Sequence, residues 1–239
     1  MLKWLKTRAN DRDAAHRIYD AIVEGARASG LYAGMGVPDT MIGRYELISL
    51  HLILAMDRLR NESETADRVA RRTLERFIED MDDCMREIGV GDLTVPKRVK
   101  KAARGFYDRA EMLEPGLRDR DAAAVEDYFT KTLIEPFEGD GVVASEGAEP
   151  DEIKSGVQNQ PEELATVHQG GTGDEQAMPP NTEALADYAQ RAYDRLKLQS
   201  ADDILRIGPV FPAPFAFSGD EEATGLPPGQ DALQPDHGA

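Results

Sequence analysis

Apolar residues recur at intervals of three and four along most of the chain, and this periodicity limits the folds that the chain can adopt. The stripe is clearest in residues 63–88, where it includes Ala66, Ala70, Leu74 and Phe77. Such spacing places apolar side chains on one face of a helix. No segment alternates apolar and polar residues as a half-buried strand would. We therefore expect an all-α, bundle-like domain.

Capping residues, glycines and prolines predict where the helices begin and end. Asp39 or Thr40 can accept the free N–H groups of a helix that runs to about residue 60. Gly30 stands where a left-handed helix end is favoured, and Pro96 suits a first helical turn. The predicted helices cover residues 11–29, 40–60, 63–88, 96 onward, 119–135 and 182 onward, followed by a short turn after Ser200 and an extended segment at 209–212. Residues 40–60 are apolar nearly all round, which predicts the most buried helix.

The negative charge of the chain is concentrated in two segments. Residues 138–180 contain ten acids and one lysine, and residues 216–239 contain five acids and no base, within a formal net charge of −17. Both segments are poor in aromatic and β-branched residues, so they cannot bury enough apolar area to offset the entropy lost on ordering. We expect a helical domain at 1–137, a disordered acidic linker at 138–180, a C-terminal helix and extended segment at 181–215 that pack on the first domain, and a disordered acidic tail at 216–239.

Two runs of like charge oppose the dipoles of their own helices on either side of Gly89. Acids occupy the C-terminal end of one predicted helix and bases the N-terminal end of the next, and both placements disfavour an isolated helix. The runs comprise Asp80, Asp83 and Glu87 with Glu79 and Asp82, and Lys97, Arg98, Lys100, Lys101 and Arg104. The short connection favours a hairpin in which the two runs neutralise each other. Alternatively one run, more readily the basic one, faces a partner such as RNA, an acidic protein surface or anionic lipid.

Two polar residues, Arg44 and His51, interrupt the apolar central helix. One interpretation is structural: His51 is a hydrogen-bonded core residue, and Arg44 pairs with a carboxylate such as Glu46 or Asp39. The other is a recognition pocket built by Asp39, Arg44 and His51. Because no nucleophile lies near them in the sequence, we expect no catalytic residues and no enzyme activity.

Metal and cofactor sites are not predicted. The acidic cluster at residues 79–83 is one imperfect copy of the aspartate-rich motif that magnesium-dependent isoprenoid synthases carry twice. The four histidines share no ligand spacing, and the single cysteine, Cys84, permits no intramolecular disulfide. We therefore expect no cofactor. The longest apolar run, residues 47–56, is too short to cross a bilayer, so we also expect a soluble chain.

Two blocks of sequence resemble the ubiquinol-cytochrome c chaperone family. The first is LYAGMGVPDTMIGRYEL at residues 31–47, with His51 one turn further on. The second comprises residues 77–82, 85–93, 97–100 and 106–109. The resemblance covers roughly residues 15–113, and neither block is a catalytic signature.

The resemblance implies a non-enzymatic chaperone that binds newly made cytochrome b, or another subunit, and promotes assembly of respiratory complex III. It also implies contact with the ribosome or the surface of the inner membrane, whereas four bases without aromatics between them do not indicate DNA binding. We expect a bacterial cytoplasm near the inner membrane rather than a mitochondrial matrix. The residues assigned to partner binding are Asp39, Arg44, His51, Asp80, Asp83, Glu87, Lys97, Arg98, Lys100, Lys101 and Arg104.

Two alternatives remain at the level of sequence. One is an all-α enzyme or binding protein for a polyprenyl or other lipid substrate, which would require acids that converge on a metal-sized cavity. The other is an adaptor whose acidic segments matter more than its core. The adaptor predicts that deletion of residues 138–180 abolishes function, whereas the chaperone predicts little loss.

Overall fold

The computed structural model describes residues 2–87, 95–135 and 179–214, with side chains described from 7 to 84, 99 to 135 and 179 to 214. Within these ranges the chain forms seven α-helices and two π-helical turns, and no strand. The helices are α1 Leu2–Ala26, α2 Met41–Leu59, α3 Glu64–Glu87, α4 Val95–Asp119, α5 Ala122–Phe129, α6 Thr182–Lys197 and α7 Ala201–Ile207, and the π-helical turns are Gly30–Gly34 and Thr130–Ile134. The predicted all-α fold is confirmed.

The helix caps agree with the sequence at most positions. Thr40 accepts the N–H of Gly43 at the start of α2, and Asn181 and Ser200 cap α6 and α7 in the same way. The left-handed end predicted at Gly30 is wrong. The first helix ends at Ala26, and Gly30 begins a π-helical turn in which it accepts a hydrogen bond from the N–H of Met35. The left-handed glycine of this connection is Gly36, with φ of 71°.

The second helix lies at the centre of the bundle and packs against α1, α3, α4 and α6. Its buried side chains point in every direction around the helix axis, as expected for a helix covered on all sides. They include Leu47, Leu50, Leu52, Ile53 and Leu54. Burying a side chain of this size contributes about 1.5–3 kcal/mol relative to exposure. The prediction that residues 40–60 form the most buried helix is confirmed.

The last two helices complete the bundle. The sixth helix packs on α5 and α2, and α7 packs on α1. The N–H of Asn181 donates a hydrogen bond to the carbonyl of Met35, which ties the start of α6 to the turn before α2. The disorder predicted for residues 138–180 and 216–239 concerns a part of the chain that lies outside the described residues, apart from Pro179 and Pro180.

A buried ion pair joins the central helix to α4. Arg109 donates two hydrogen bonds to Glu46, at 2.7 and 2.5 Å, and a third to the carbonyl of Gly105. The two side chains are only 6% and 3% exposed. The guanidinium also lies 5.0 Å from the ring centroid of Tyr45, whose hydroxyl donates to the carbonyl of Ala102. This cluster fixes how α4 lies on α2.

Removing one member of the buried pair should destabilise the fold strongly, because the remaining charge would be buried without its partner. We expect Glu46→Leu or Arg109→Met to lower the free energy of unfolding by about 3–5 kcal/mol. The double substitution should recover most of that loss. Urea denaturation measures all three variants.

The exposed pair of Asp39 and Arg44 provides the control, since both side chains are about 60% exposed. Replacing Arg44 with alanine should leave the free energy of unfolding nearly unchanged. Single substitutions at Glu46 or Arg109 that cost no more than Arg44→Ala would contradict the structural role of the buried pair.

Candidate functional site

The outward surface of α4 combines positive charge with an exposed aromatic ring. Lys100, Arg104 and Tyr107 are spaced by four and three residues, so they share one side of the helix, with Lys101 beside them. All four side chains are exposed, and Tyr107 is 54% accessible. None of the three cations makes a hydrogen bond or ion pair with another residue of the described ranges. We call these four residues the basic face.

The acids of α3 are directed toward two different neighbours. Asp80 accepts a hydrogen bond of 2.8 Å from the hydroxyl of Tyr19 on α1. Burial and this hydrogen bond raise the pKa of Tyr19, so the phenol keeps its proton. Glu79, Asp82 and Asp83 instead border a groove of about 450 Å³ between α3 and α4. We call Glu79, Asp82 and Asp83 the acidic rim.

Mutual neutralisation of the two charged runs stays a prediction. Lys100, Lys101 and Arg104 are the three described members of the basic run, and none of them bonds to Asp80 or Asp83. The side chains of Glu87, Lys97 and Arg98 lie outside the described set, so their predicted roles stay predictions.

Asp39 and Arg44 form an ion pair on the surface at the start of α2. Arg44 Nε donates to Asp39 Oδ1 at 2.7 Å. This hydrogen bond lowers the pKa of the Asp39 carboxyl, which keeps it ionised. Arg44 therefore pairs with one of the two predicted carboxylates, whereas the other, Glu46, pairs with Arg109 in the core.

His51 lies in the core and is completely inaccessible. Its Nδ1 is 2.7 Å from the carbonyl of Leu47, and its Nε2 is 2.7 Å from the hydroxyl of Tyr188 on α6. Burial lowers its pKa to about 4, so the ring is neutral at pH 7. A neutral ring satisfies both contacts when Nδ1–H donates to Leu47 and Nε2 accepts from Tyr188. The ring of Phe211 meets His51 edge-on, with centroids 4.6 Å apart.

The structure does not join Asp39, Arg44 and His51 in one pocket. The first two lie on the surface, and the third is enclosed by Leu47, Tyr188 and Phe211. Direct contact of His51 with a partner would require this cover to open. The assignment of His51 to partner binding stays a prediction, and it requires that these covering residues move away.

Several residues of these sites were missed by the sequence analysis. Arg109 and Glu46 carried a usable signal, because each is a charged residue in line with apolar positions of its helix. Tyr107 follows Arg104 by three residues, which is helical spacing. No local sequence signal identified Tyr188 as the partner of His51, since the two residues lie 137 positions apart in the chain.

Three observations on the described residues concern metals, the acids of α3 and membrane spans. They contain no group of three or more histidine, cysteine, aspartate or glutamate side chains that could hold a metal ion. The acids of α3 are divided between two sites: Asp80 bonds to Tyr19 on α1, whereas Glu79, Asp82 and Asp83 border the groove beside α4. Among the described helices none is long and apolar enough to span a bilayer.

A helical domain with accessible charged and apolar surfaces is typical of binding proteins, a class that includes molecular chaperones. The family described as ubiquinol-cytochrome C chaperone matches residues 33–211, which is most of the chain. The protein belongs to this family, and its role is that of a chaperone in the assembly of complex III.

A solved structure supports the same assignment. The fold is similar to the crystal structure of the Cbp3 homolog from Brucella abortus, with a TM-score of 0.62 and 29% sequence identity. The match covers 88% of this chain and 96% of that chain. No curated protein matches the sequence significantly.

The buried neutral state of His51 predicts a specific loss of stability in acid. The pKa of His51 is 6.5 in the unfolded chain and about 4 in the folded chain. Between these two pH values the unfolded chain binds a proton at His51 and the folded chain does not. Stability should be full above pH 6.5 and fall by about 3 kcal/mol as the pH drops to 4. Urea denaturation at several pH values measures this loss.

The matched variants are His51→Gln, which removes the buried group, and His16→Gln, which removes an exposed one. The slope of stability against pH between 6.5 and 4 should flatten in the first variant and persist in the second. Equal slopes in both variants and the wild type would contradict a neutral, buried His51.

Proposed function

We propose that the protein binds newly made cytochrome b and promotes its incorporation into complex III, without catalysing a reaction. Membership of the ubiquinol-cytochrome C chaperone family over residues 33–211 carries this proposal. The lack of a metal-ligand cluster in the described ranges is consistent with a binding role. We place the protein in a bacterial cytoplasm, close to the inner membrane where cytochrome b is inserted.

The acidic rim suits one property of a membrane-protein client. Loops of membrane proteins on the cytoplasmic side are enriched in lysine and arginine. Glu79 is 69% exposed in its side chain, and Asp83 is exposed beside it. We infer that these carboxylates attract the basic loops of cytochrome b and so set its orientation on the chaperone.

The basic face is available for a second, negatively charged contact. Tyr107 adds an exposed ring to three cations, and aromatic residues together with arginine are enriched in protein interfaces. An acidic surface on a partner subunit, or on the ribosome that makes the client, fits this chemistry. Charges at the rim of an interface act mainly on the rate of association.

Deletion of the gene tests the proposal most directly. We expect the levels of cytochrome b and of assembled complex III to fall, while cytochrome oxidase remains normal as a control. A plasmid copy of the gene should restore both. Normal cytochrome b and complex III in the deletion strain would overturn the proposal.

Removing the charge of the basic face should weaken association without unfolding the chain. The variant carries Gln at Lys100, Lys101 and Arg104, and it should bind cytochrome b or the ribosome roughly tenfold more weakly. Its melting temperature should stay within a few degrees of the wild type, because Lys100, Lys101 and Arg104 have no described partner. Co-purification and thermal melting are the two measurements.

The control replaces three exposed arginines with glutamine: Arg12 on α1, Arg27 immediately after α1, and Arg71 on α3. This variant changes the net charge by a similar amount and should associate normally. A large fall in melting temperature of the basic-face variant would instead support pairing of the two charged runs within the chain.

A further inference from the structure

The chain that follows α7 crosses back over the bundle as an extended strap, which we define as residues 208–214. Gly208 starts the strap with φ of 90°, a conformation that side chains rarely adopt. A Cβ there would also lie 3.1 Å from Cβ of Ala21 and 3.2 Å from the carbonyl oxygen of Arg17. The close approach to α1 and the change of direction both depend on this glycine.

The strap inserts one aromatic side chain into a slot of the bundle. The ring of Phe211 packs edge-on against His51, at an interplanar angle of 77°. The ring also lies against Gly25 of α1, where a Cβ would be only 2.8 Å from Phe211 Cδ2 and 3.1 Å from the His51 ring. Gly25 and His51 therefore define a slot for an aromatic ring, and a larger residue at position 25 would force the ring to move.

Beyond Gly208, side chains supply most of the polar contacts that hold the strap. The amide of Gln199 donates to the carbonyl of Val210 and accepts from its N–H, at 2.8 and 2.9 Å. Arg191 reaches the carbonyl of Ala213 at 3.4 Å. No hydrogen bond between main-chain groups joins residues 209–214 to the rest of the described chain. Three of these residues are prolines, which have no N–H to donate.

An open groove of about 520 Å³ runs beside the slot, between α1 and the strap. Its lining is mostly apolar and includes Ala21, Ala28, Ile207, Val210 and Pro212. Ile207 and Val210 are 56% and 45% exposed, which is high for large aliphatic side chains. The surface around the slot is thus accessible to another extended segment.

We propose that the slot over Gly25 and His51 is a binding site for an aromatic side chain in an extended segment of a partner polypeptide, and that Phe211 is its intramolecular occupant. The strap shows what the site accepts: an aromatic ring followed by a proline, on an extended backbone without main-chain hydrogen bonds to a strand. Because the strap is tethered, it competes at a high effective concentration, and a partner must displace it. We take the partner polypeptide to be cytochrome b, and only this step of the inference rests on the proposed function.

A fluorescent peptide with the sequence of residues 207–214, Ile-Gly-Pro-Val-Phe-Pro-Ala-Pro, tests the slot in trans. Fluorescence anisotropy measures its binding to the purified full-length chain and to the Phe211→Ala variant. The variant, whose slot is vacated, should bind the peptide roughly tenfold more tightly or better, since the tethered competitor is gone. A peptide in which alanine replaces phenylalanine should not bind.

Two further variants localise the effect. Adding Gly25→Leu to Phe211→Ala fills the slot and should abolish binding. The control Leu198→Ala, at a position that is 83% exposed and outside the groove, should bind as weakly as the wild type. Equal binding by the wild type and Phe211→Ala, binding that survives Gly25→Leu, or no binding by any variant would overturn the proposal. Circular dichroism checks folding, and Phe211→Leu, which should bind to an intermediate degree, serves if Phe211→Ala does not fold.

The peptide assay contains neither cytochrome b nor complex III. Tight binding to Phe211→Ala together with normal complex III in the deletion strain would overturn the proposed function alone. Low complex III with no peptide binding would overturn the slot alone.

Discussion

Complete burial of α2 is the constraint on which the rest of the structure depends. Because this helix is apolar on all sides, it must be covered by α1, α3, α4 and α6 together. Its polar side chains must then find partners inside the bundle, since unpaired buried groups are costly. Glu46 takes Arg109 from α4, and His51 takes Tyr188 from α6. Each pair therefore fixes the position of one covering helix as well as satisfying a buried group.

In this arrangement the polar pairs that stabilise the fold are buried, whereas the charged groups that a partner can contact lie on the surface. The buried pairs favour this arrangement of the helices, because a packing that separated Glu46 from Arg109 or His51 from Tyr188 would leave a buried group unpaired. Within the described ranges, the acidic rim, the basic face and the apolar groove beside the strap are all accessible from solvent. These features suit binding, in which charge sets orientation and apolar contact supplies affinity.

Predictions from the sequence were accurate for interactions between residues close together in the chain and failed for interactions between distant residues. Helix caps such as Thr40 were predicted because a cap bonds within three residues, and the pair of Asp39 and Arg44 spans only five. Gly30 was assigned wrongly because a glycine permits a left-handed turn but does not require one. Asp80 could be placed in an acidic run, but its bond to Tyr19 spans 61 residues and was invisible to local reasoning.

The sequence by itself determined the helical class, most helix boundaries, the central position of α2 and the family, since these depend on periodicity, local capping and motif order. Only the tertiary structure decided that Glu46 pairs with Arg109, that His51 is a neutral core residue, and that Phe211 covers it. The partners in these contacts lie 63, 137 and 160 residues apart in the chain. No local pattern encodes such contacts, because they arise only when packed helices bring distant side chains within bonding distance.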